Sequence, residues 1–305
     1  CPGCSIGCNV SLGHLNGEVH RFVPRENGEV NGWWMCDYGR FLAEGLNDRT
    51  IDVPLEGIRE GQRRVSWDTA LAEVGRWLRE ARPPLVIASA SMSNEALFAV
   101  RRYLVEGARL DVIVPVSEGE TRRIKNGRGV WIRSIDSHPN STGARHLGLA
   151  TADAANLENY LRDGTGPVLV LDAHAHPWLA SEGAATITAD RQVAVLARYR
   201  TPLVDAASIV MPLASWAETD GTYTSSTDRV QLARIALPPG GQARPTWEVV
   251  YRLAVKLGIE QERAITPRIL FAEMAAEVAA FSGMTWGRLM AESGMPVHKE
   301  VHGVG

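Results

Sequence analysis

All four cysteines of the 305-residue chain fall within its first 36 positions, at Cys1, Cys4, Cys8 and Cys36, spaced C-x2-C-x3-C-x27-C. A thiolate is a soft anionic ligand, and a compact trio plus one remote thiolate supplies the four corners of a 4Fe-4S cubane. The set reads as one 4Fe-4S cluster site with these four residues as iron ligands. Two other chemistries stay open from the residues alone. Structural zinc usually pairs two short C-x2-C knuckles, and four thiols also suffice for two disulfides.

Other candidates are weaker. His14 and His20 lie near the cysteines, but alternate residues of an ordinary strand often carry a half-exposed imidazole with no ligand role. Arg40, four residues after Cys36, reads either as a contact for an anionic group or as a solvated loop arginine. The small polar run 89–95 has no G-x-G-x-x-G or P-loop pattern near it, so a serine-rich helix cap is favoured over a phosphate cradle. His174 and His176 lack a third ligand at matching spacing and read as loop residues.

The elements that position the cysteines are legible. Residues 10–15 and 18–23 flank Asn16-Gly17, the signature of a hairpin with a type I′ turn. Trp33, Trp34, Met35 and Phe41 crowd around Cys36 and are expected to wall the cluster off from water, which tunes an iron–sulfur couple. From about residue 56 the pattern changes to alternating helices and strands. Expected helices cover 67–78, 94–106, 152–162 and 189–197, and expected strands cover 85–88, 111–116, 167–172 and 209–212. Such alternation predicts parallel βαβ units, with binding loops after Ala88, Val116 and Asp172. Helical apolar spacing returns at 247–257 and 267–281. The fold class is therefore α/β: a small N-terminal hairpin-and-loop domain (1–55), a parallel Rossmann-like α/β domain (56–245) and a C-terminal helical region (246–305).

The chain is 45% hydrophobic and 22% charged, with a net charge of −3, which argues against nucleic-acid binding. No stretch approaches the roughly 18 apolar residues of a membrane span, so no direct membrane insertion is expected. The chain opens on Cys1 instead of Met, from which further residues upstream are expected.

The run Cys1-Pro2-Gly3-Cys4-Ser5-Ile6-Gly7-Cys8-Asn9-Val10, with Glu29-Val30-Asn31-Gly32-Trp33-Trp34-Met35-Cys36-Asp37-Tyr38-Gly39-Arg40-Phe41, resembles the 4Fe-4S domain of the molybdopterin oxidoreductase superfamily. Residues 204–212, then Glu218-Thr219-Asp220-Gly221-Thr222 and Arg229-Val230-Gln231, are similar to its A-D-x-V-L-P … E-x-x-G-T-x-x-N … R-x-Q signature. Within the superfamily, these stretches and the weaker run 139–145 most resemble the G subunits of bacterial NADH-quinone oxidoreductases, respiratory complex I. Active pterin enzymes commonly carry a lysine two residues after the fourth cysteine, where this chain has Tyr38. They also ligate molybdenum or tungsten through a later Cys, selenocysteine, Ser or Asp, and they are much longer.

The resemblance implies a truncated molybdopterin-oxidoreductase fold with one 4Fe-4S cluster and no molybdopterin. It implies an electron-carrying or structural subunit, not catalytic alone, whose partners are other peripheral-arm subunits. Its place would be peripheral, on the cytoplasmic side of the bacterial inner membrane. A longer parent would carry a 2Fe-2S cluster and further cubanes, and the whole complex would move electrons from NADH to quinone and pump ions. Two rival expectations are a pterin-dependent enzyme such as a formate dehydrogenase, with its remaining domains elsewhere, and a zinc-stabilised assembly module.

Overall fold

The computed structural model describes residues 1–58, 61–79, 83–116, 123–125, 131–134, 136–153, 156–174, 176–292 and 294–297. Val10–Leu15 (β1) pairs antiparallel with Glu18–Pro24 (β2), and Asn16 and Gly17 hold φ of 52° and 86°, as a type I′ turn requires. Asp37–Phe41 (α1) completes this small lobe. Its own core is Val19, Phe22, Met35 and Ala43.

Leu55–Glu56 (β3) and Arg63–Arg64 (β4) lead into the α/β domain. Ser66 caps Trp67–Trp77 (α2) by accepting from Thr69 N at 3.0 Å, and Ala70, Leu71, Val74 and Trp77 form its buried stripe. Then come Leu85–Ile87 (β5), Asn94–Ala99 (α3), Asp111–Val116 (β6), Arg123–Lys125 (β7), Trp131–Ser134 (β8), Ser141–His146 (α4) and Thr151–Asp153 (β9). The turns after α3, Val100–Gly107, are π-helical. Leu157–Asp163 (α5), Val168–Val170 (β10), Glu182–Ile187 (α6), Val193–Ala197 (β11), Pro202–Ala206 (α7) and Ile209–Pro212 (β12) continue the alternation.

The main sheet has the order β4-β3-β12-β11-β10-β5-β6-β9, parallel from β12 to β9, with β3 and β4 antiparallel at one edge. Strand order reverses between β5 and β10. That reversal opens a crevice at the strands' carboxyl ends, bordered by the loops after β5 and β10. Period-2 side chains split cleanly between two layers. Val86, Val112, Leu169, Ala194 and Met211 face a core shared with α2 and α3, and Ile87, Ile113, Val170, Val195 and Val210 face one shared with α5 and α7.

Gly221–Thr224 (β13) and Arg229–Ala233 (β14) form a second antiparallel ribbon, to which Met295–Pro296 (β15) adds. Between them in sequence lie Thr246–Lys256 (α8), Pro267–Glu277 (α9) and Trp286–Ala291 (α10), whose buried residues join the first core. Among the described residues no helix is long and apolar enough to cross a membrane.

The structure corrects two helix expectations. Residues 193–197 are the fully buried strand β11, not the end of a helix, because a strand covered on both faces reads as an unbroken apolar run with no period to mark it. The helix expected from residue 152 is preceded by β9 and begins at Leu157. The loop after Val116 lies outside the described residues.

Candidate metal centre

Cys1, Cys4 and Cys8 lie on the irregular segment before β1, and Cys36 is the N-cap of α1. All four thiols are free, Cys4 is buried and the other three are half-buried. Gly39 N donates to Cys36 Sγ at 3.4 Å. A Cβ on Gly39 would sit 2.8 Å from Cys1 Sγ and 3.7 Å from Cys36 Sγ, so the α1 backbone passes directly against two of the sulfurs. Burial pushes the Cys8 thiol up to about 11, and the nearby Cys4 and Cys36 sulfurs push it the same way. The Cys4, Cys8 and Cys36 sulfurs thus feel one another electrostatically, and Cys1 Sγ lies with Cys36 Sγ against Gly39. Such a group favours cationic iron, whose binding displaces the thiol protons. Among the described residues no three His, Cys, Asp or Glu side chains converge closely enough for a single metal ion. The residues fit an iron–sulfur cluster in donor chemistry, burial and backbone clearance.

The expected aromatic wall is not formed. Met35 is buried, but Trp33, Trp34 and Phe41 are 68%, 59% and 64% exposed. Apolar cover under the hairpin comes instead from Val19, Phe22 and Ala43, and from Trp216 of the α/β domain, edge-on to Phe22 at 5.7 Å between ring centroids. His14, His20 and Arg40 are exposed surface residues.

The cluster loop is stapled to the α/β domain. Ser5 N donates to Asp136 O at 3.0 Å, Ser226 N donates to Ser5 O at 2.6 Å, and Ser5 Oγ donates to Ser134 Oγ at 2.9 Å. Gln231 Nε2 donates to Gly7 O at 2.9 Å, and Gln231 Oε1 accepts from Asn9 Nδ2. Further along, Arg49 Nη2 lies 2.6 and 2.8 Å from the two oxygens of Glu218, which also accept from Ser215 N and Gly240 N. Arg198 Nη2 donates to the carbonyls of Gly45 and Leu46.

A second polar network lies beneath the ribbon. Buried Glu95 accepts from Thr222 N at 2.9 Å and Thr222 Oγ1 at 2.7 Å, and Asn140 Oδ1 accepts from Thr224 N at 2.7 Å. Burial raises Glu95 to about 7 and Asp172 to about 6. The signature residues Glu218, Thr222 and Gln231 therefore share one task, joining the ribbon and the cluster lobe to the sheet. Their sequence pattern does not by itself reveal that task; Arg49 carries no local signal that would single it out, and Glu95, Asn9 and Asn31 lie in runs whose patterns do not announce these contacts.

Between the lobe and the strand ends lie two cavities, of about 290 and 140 Å³, both bordered by Pro2, Ser91, Trp216 and Tyr223. The loop after β5 satisfies itself: Ser89 Oγ accepts from Ser91 N and Ser93 caps α3 through Ala96 N. His174 Nε2 accepts from Arg198 N and Tyr199 N, the ring stacks on Tyr199 at 3.7 Å, and burial lowers it to about 4. His176 Nδ1 accepts from Trp178 N. Each imidazole orders backbone through one nitrogen, but His174 is half-buried instead of solvated, and its Nδ1 has no hydrogen-bond partner among the described residues beside the smaller cavity.

Two family models match: the Molybdopterin oxidoreductase Fe4S4 domain over residues 1–48 and Molybdopterin oxidoreductase over residues 124–256, together more than half of the chain. The chain is 39% identical over 92 residues to the alpha chain of F420-dependent formate dehydrogenase 2 of Methanococcus maripaludis, covering 30% of this chain and 14% of that protein. It is 35% identical over 125 residues to the NADH-quinone oxidoreductase G subunit of Pseudomonas fluorescens, covering 41% of this chain and 13% of that one. The matched stretches thus span a small part of these much longer relatives. In fold it is similar to Acetylene Hydratase from Pelobacter acetylenicus, with a TM-score of 0.57 and 11% identity over 98% of this chain and 74% of that one. With its cysteine lobe and residues 124–256 of the α/β region each matched by a model of that family, the chain belongs to the molybdopterin oxidoreductase family.

Proposed function

We propose that Cys1, Cys4, Cys8 and Cys36 ligate one 4Fe-4S cluster, and that the chain serves as an iron–sulfur subunit of a respiratory NADH:quinone oxidoreductase. The observation that carries the reading is four free thiols in one small lobe matched by an Fe4S4 domain model, two of them, Cys1 and Cys36, against the Gly39 backbone. The bound cluster would supply one-electron redox chemistry. The protein's part is to hold the sulfurs, donate Gly39 N–H to Cys36 Sγ and exclude water from Cys4.

The likeness to NADH-quinone oxidoreductase sequences supports a place among other peripheral-arm subunits, on the cytoplasmic side of the bacterial inner membrane. In this reading the chain binds no molybdopterin and is not catalytic alone. Tyr38 stands where the family's active members commonly have lysine, and no cysteine is left over for a metal outside the cluster. The division at residues 55 and 245 belongs to the same proposal.

The formate dehydrogenase likeness favours a second reading, a fragment of a pterin enzyme. Elemental analysis with pterin fluorescence separates the two, on protein purified anaerobically from a host with intact pterin synthesis. Iron with negligible molybdenum and tungsten supports the respiratory reading, and stoichiometric molybdenum or tungsten overturns it.

A further inference from the structure

The α/β domain reaches the cluster loop through a chain of carboxamides. Gln231 Nε2 donates to Gly7 O at 2.9 Å, and Gln231 Oε1 accepts from Asn9 Nδ2 at 2.5 Å. Asn9 N donates to Asn31 Oδ1 at 2.9 Å, and Asn31 Nδ2 donates to the carbonyls of Arg25, Gly32 and Trp34 at 3.1 to 3.2 Å.

The orientation of each amide is fixed by partners with a single role. A carbonyl only accepts, so Gln231 must turn its NH2 to Gly7, which leaves its oxygen for Asn9. The Arg25 guanidinium only donates, at 2.9 Å to Asn9 Oδ1, which turns the Asn9 NH2 back to Gln231. The Asn9 backbone N–H fixes Asn31 in the same way. The chain of amides therefore has one hydrogen-bonded arrangement, and it touches both neighbours of Cys8 and the carbonyl two residues before Cys36. Gly7 also leaves room for it: at φ +71°, a Cβ there would meet Gln231 Nε2 at 2.8 Å.

We propose that Gln231, Asn9 and Asn31 form an amide relay that positions Cys8 and Cys36 together, making Gln231 of β14 a positioning residue for the cluster. The relay rests on the cluster reading and deepens it. It gives the R-x-Q part of the family signature a physical task at the cluster. Groups that orient metal ligands without touching the metal typically alter metal affinity by about 10- to 100-fold when removed.

The test uses Gln231→Met, which keeps side-chain length and loses both hydrogen bonds, and Asn9→Ala, which breaks the relay from the lobe side. Each variant and the pair are purified anaerobically with the cluster in place. Iron release to a chelator and the electron paramagnetic resonance spectrum of the reduced protein are then measured. The relay predicts roughly tenfold or faster iron release and altered g values in each single variant. The double variant should lie close to the worse single one, because the residues act as a unit. Unchanged g values and iron release, even with a lowered unfolding temperature, would overturn the relay, as would independent effects that simply add. If Gln231→Met does not fold, Asn9→Ala reads the same contact. A wild-type chain holding no four-iron cluster fails the cluster reading itself, an outcome distinct from failure of the relay.

Discussion

Arg49 and Glu218 form a bidentate ion pair, with Nη2 at 2.6 and 2.8 Å from the two carboxylate oxygens and side chains only 14% and 9% exposed. Arg49 lies just past the cysteine lobe and Glu218 just before β13, so the pair closes a contact 169 residues apart in sequence. Glu218 also receives two backbone N–H groups, from Ser215 and Gly240. The carboxylate is therefore the hub.

Removing the hub should cost more than removing its cation. Glu218→Ala strands the Arg49 charge and two N–H donors, and should destabilise the protein by about 3 kcal/mol. Arg49→Met leaves Glu218 with its backbone donors and should cost about half as much. Chemical denaturation of both variants checks the order, and a larger loss for Arg49→Met would contradict it.

Gly39→Ala sets two expectations against each other. Alanine is the better helix former by about 1 kcal/mol, so helix propensity alone predicts a stabilised α1. The added Cβ would stand 2.8 Å from Cys1 Sγ, so the site predicts displaced sulfur and lost iron. Iron content per chain decides, with full retention counting against this arrangement of sulfurs.

Twenty-seven residues separate Cys36 from Cys8, and as a cluster ligand Cys36 would close that loop. Cys36→Ala should abolish the cubane signal in the reduced protein and loosen the lobe, since a ligated metal site contributes folding free energy and the bond closes a long loop. A full four-iron resonance with wild-type stability would remove Cys36 from the ligand set.

Glu95 should impose a pH dependence on stability. Burial raises its folded-state value to about 7 from an ordinary 4.5, so between those limits the native state binds more protons than the unfolded chain. Stability should then fall as pH rises from about 4.5 to 7, by about 3 kcal/mol at most. Asp172, raised to about 6 from 3.8, acts in the same direction over a lower range. Glu95→Gln should flatten the upper part of the profile, and a profile identical to wild type would show that Glu95 does not titrate in this window.

Much of this architecture is legible in the residues. The Asn16-Gly17 turn, the Ser66 cap and the apolar strands 111–116 and 209–212 are set by local rules, and the structure agrees with them. The departures have nonlocal causes. Strand 193–197 is buried on both faces and shows no period, and Trp33, Trp34 and Phe41 lie outside a core too small to cover them. The contacts of Gln231 with Gly7 and of Glu95 with Thr222 bridge residues far apart in sequence, and no local pattern announces such a pairing.

Whether the four thiols hold a four-iron cubane is tested most directly by counting iron and acid-labile sulfide on anaerobically purified protein, with electron paramagnetic resonance after reduction. About four irons and four sulfides per chain and a reduced-cubane signal are expected. One zinc per chain, or two disulfides with no iron, would contradict the cluster.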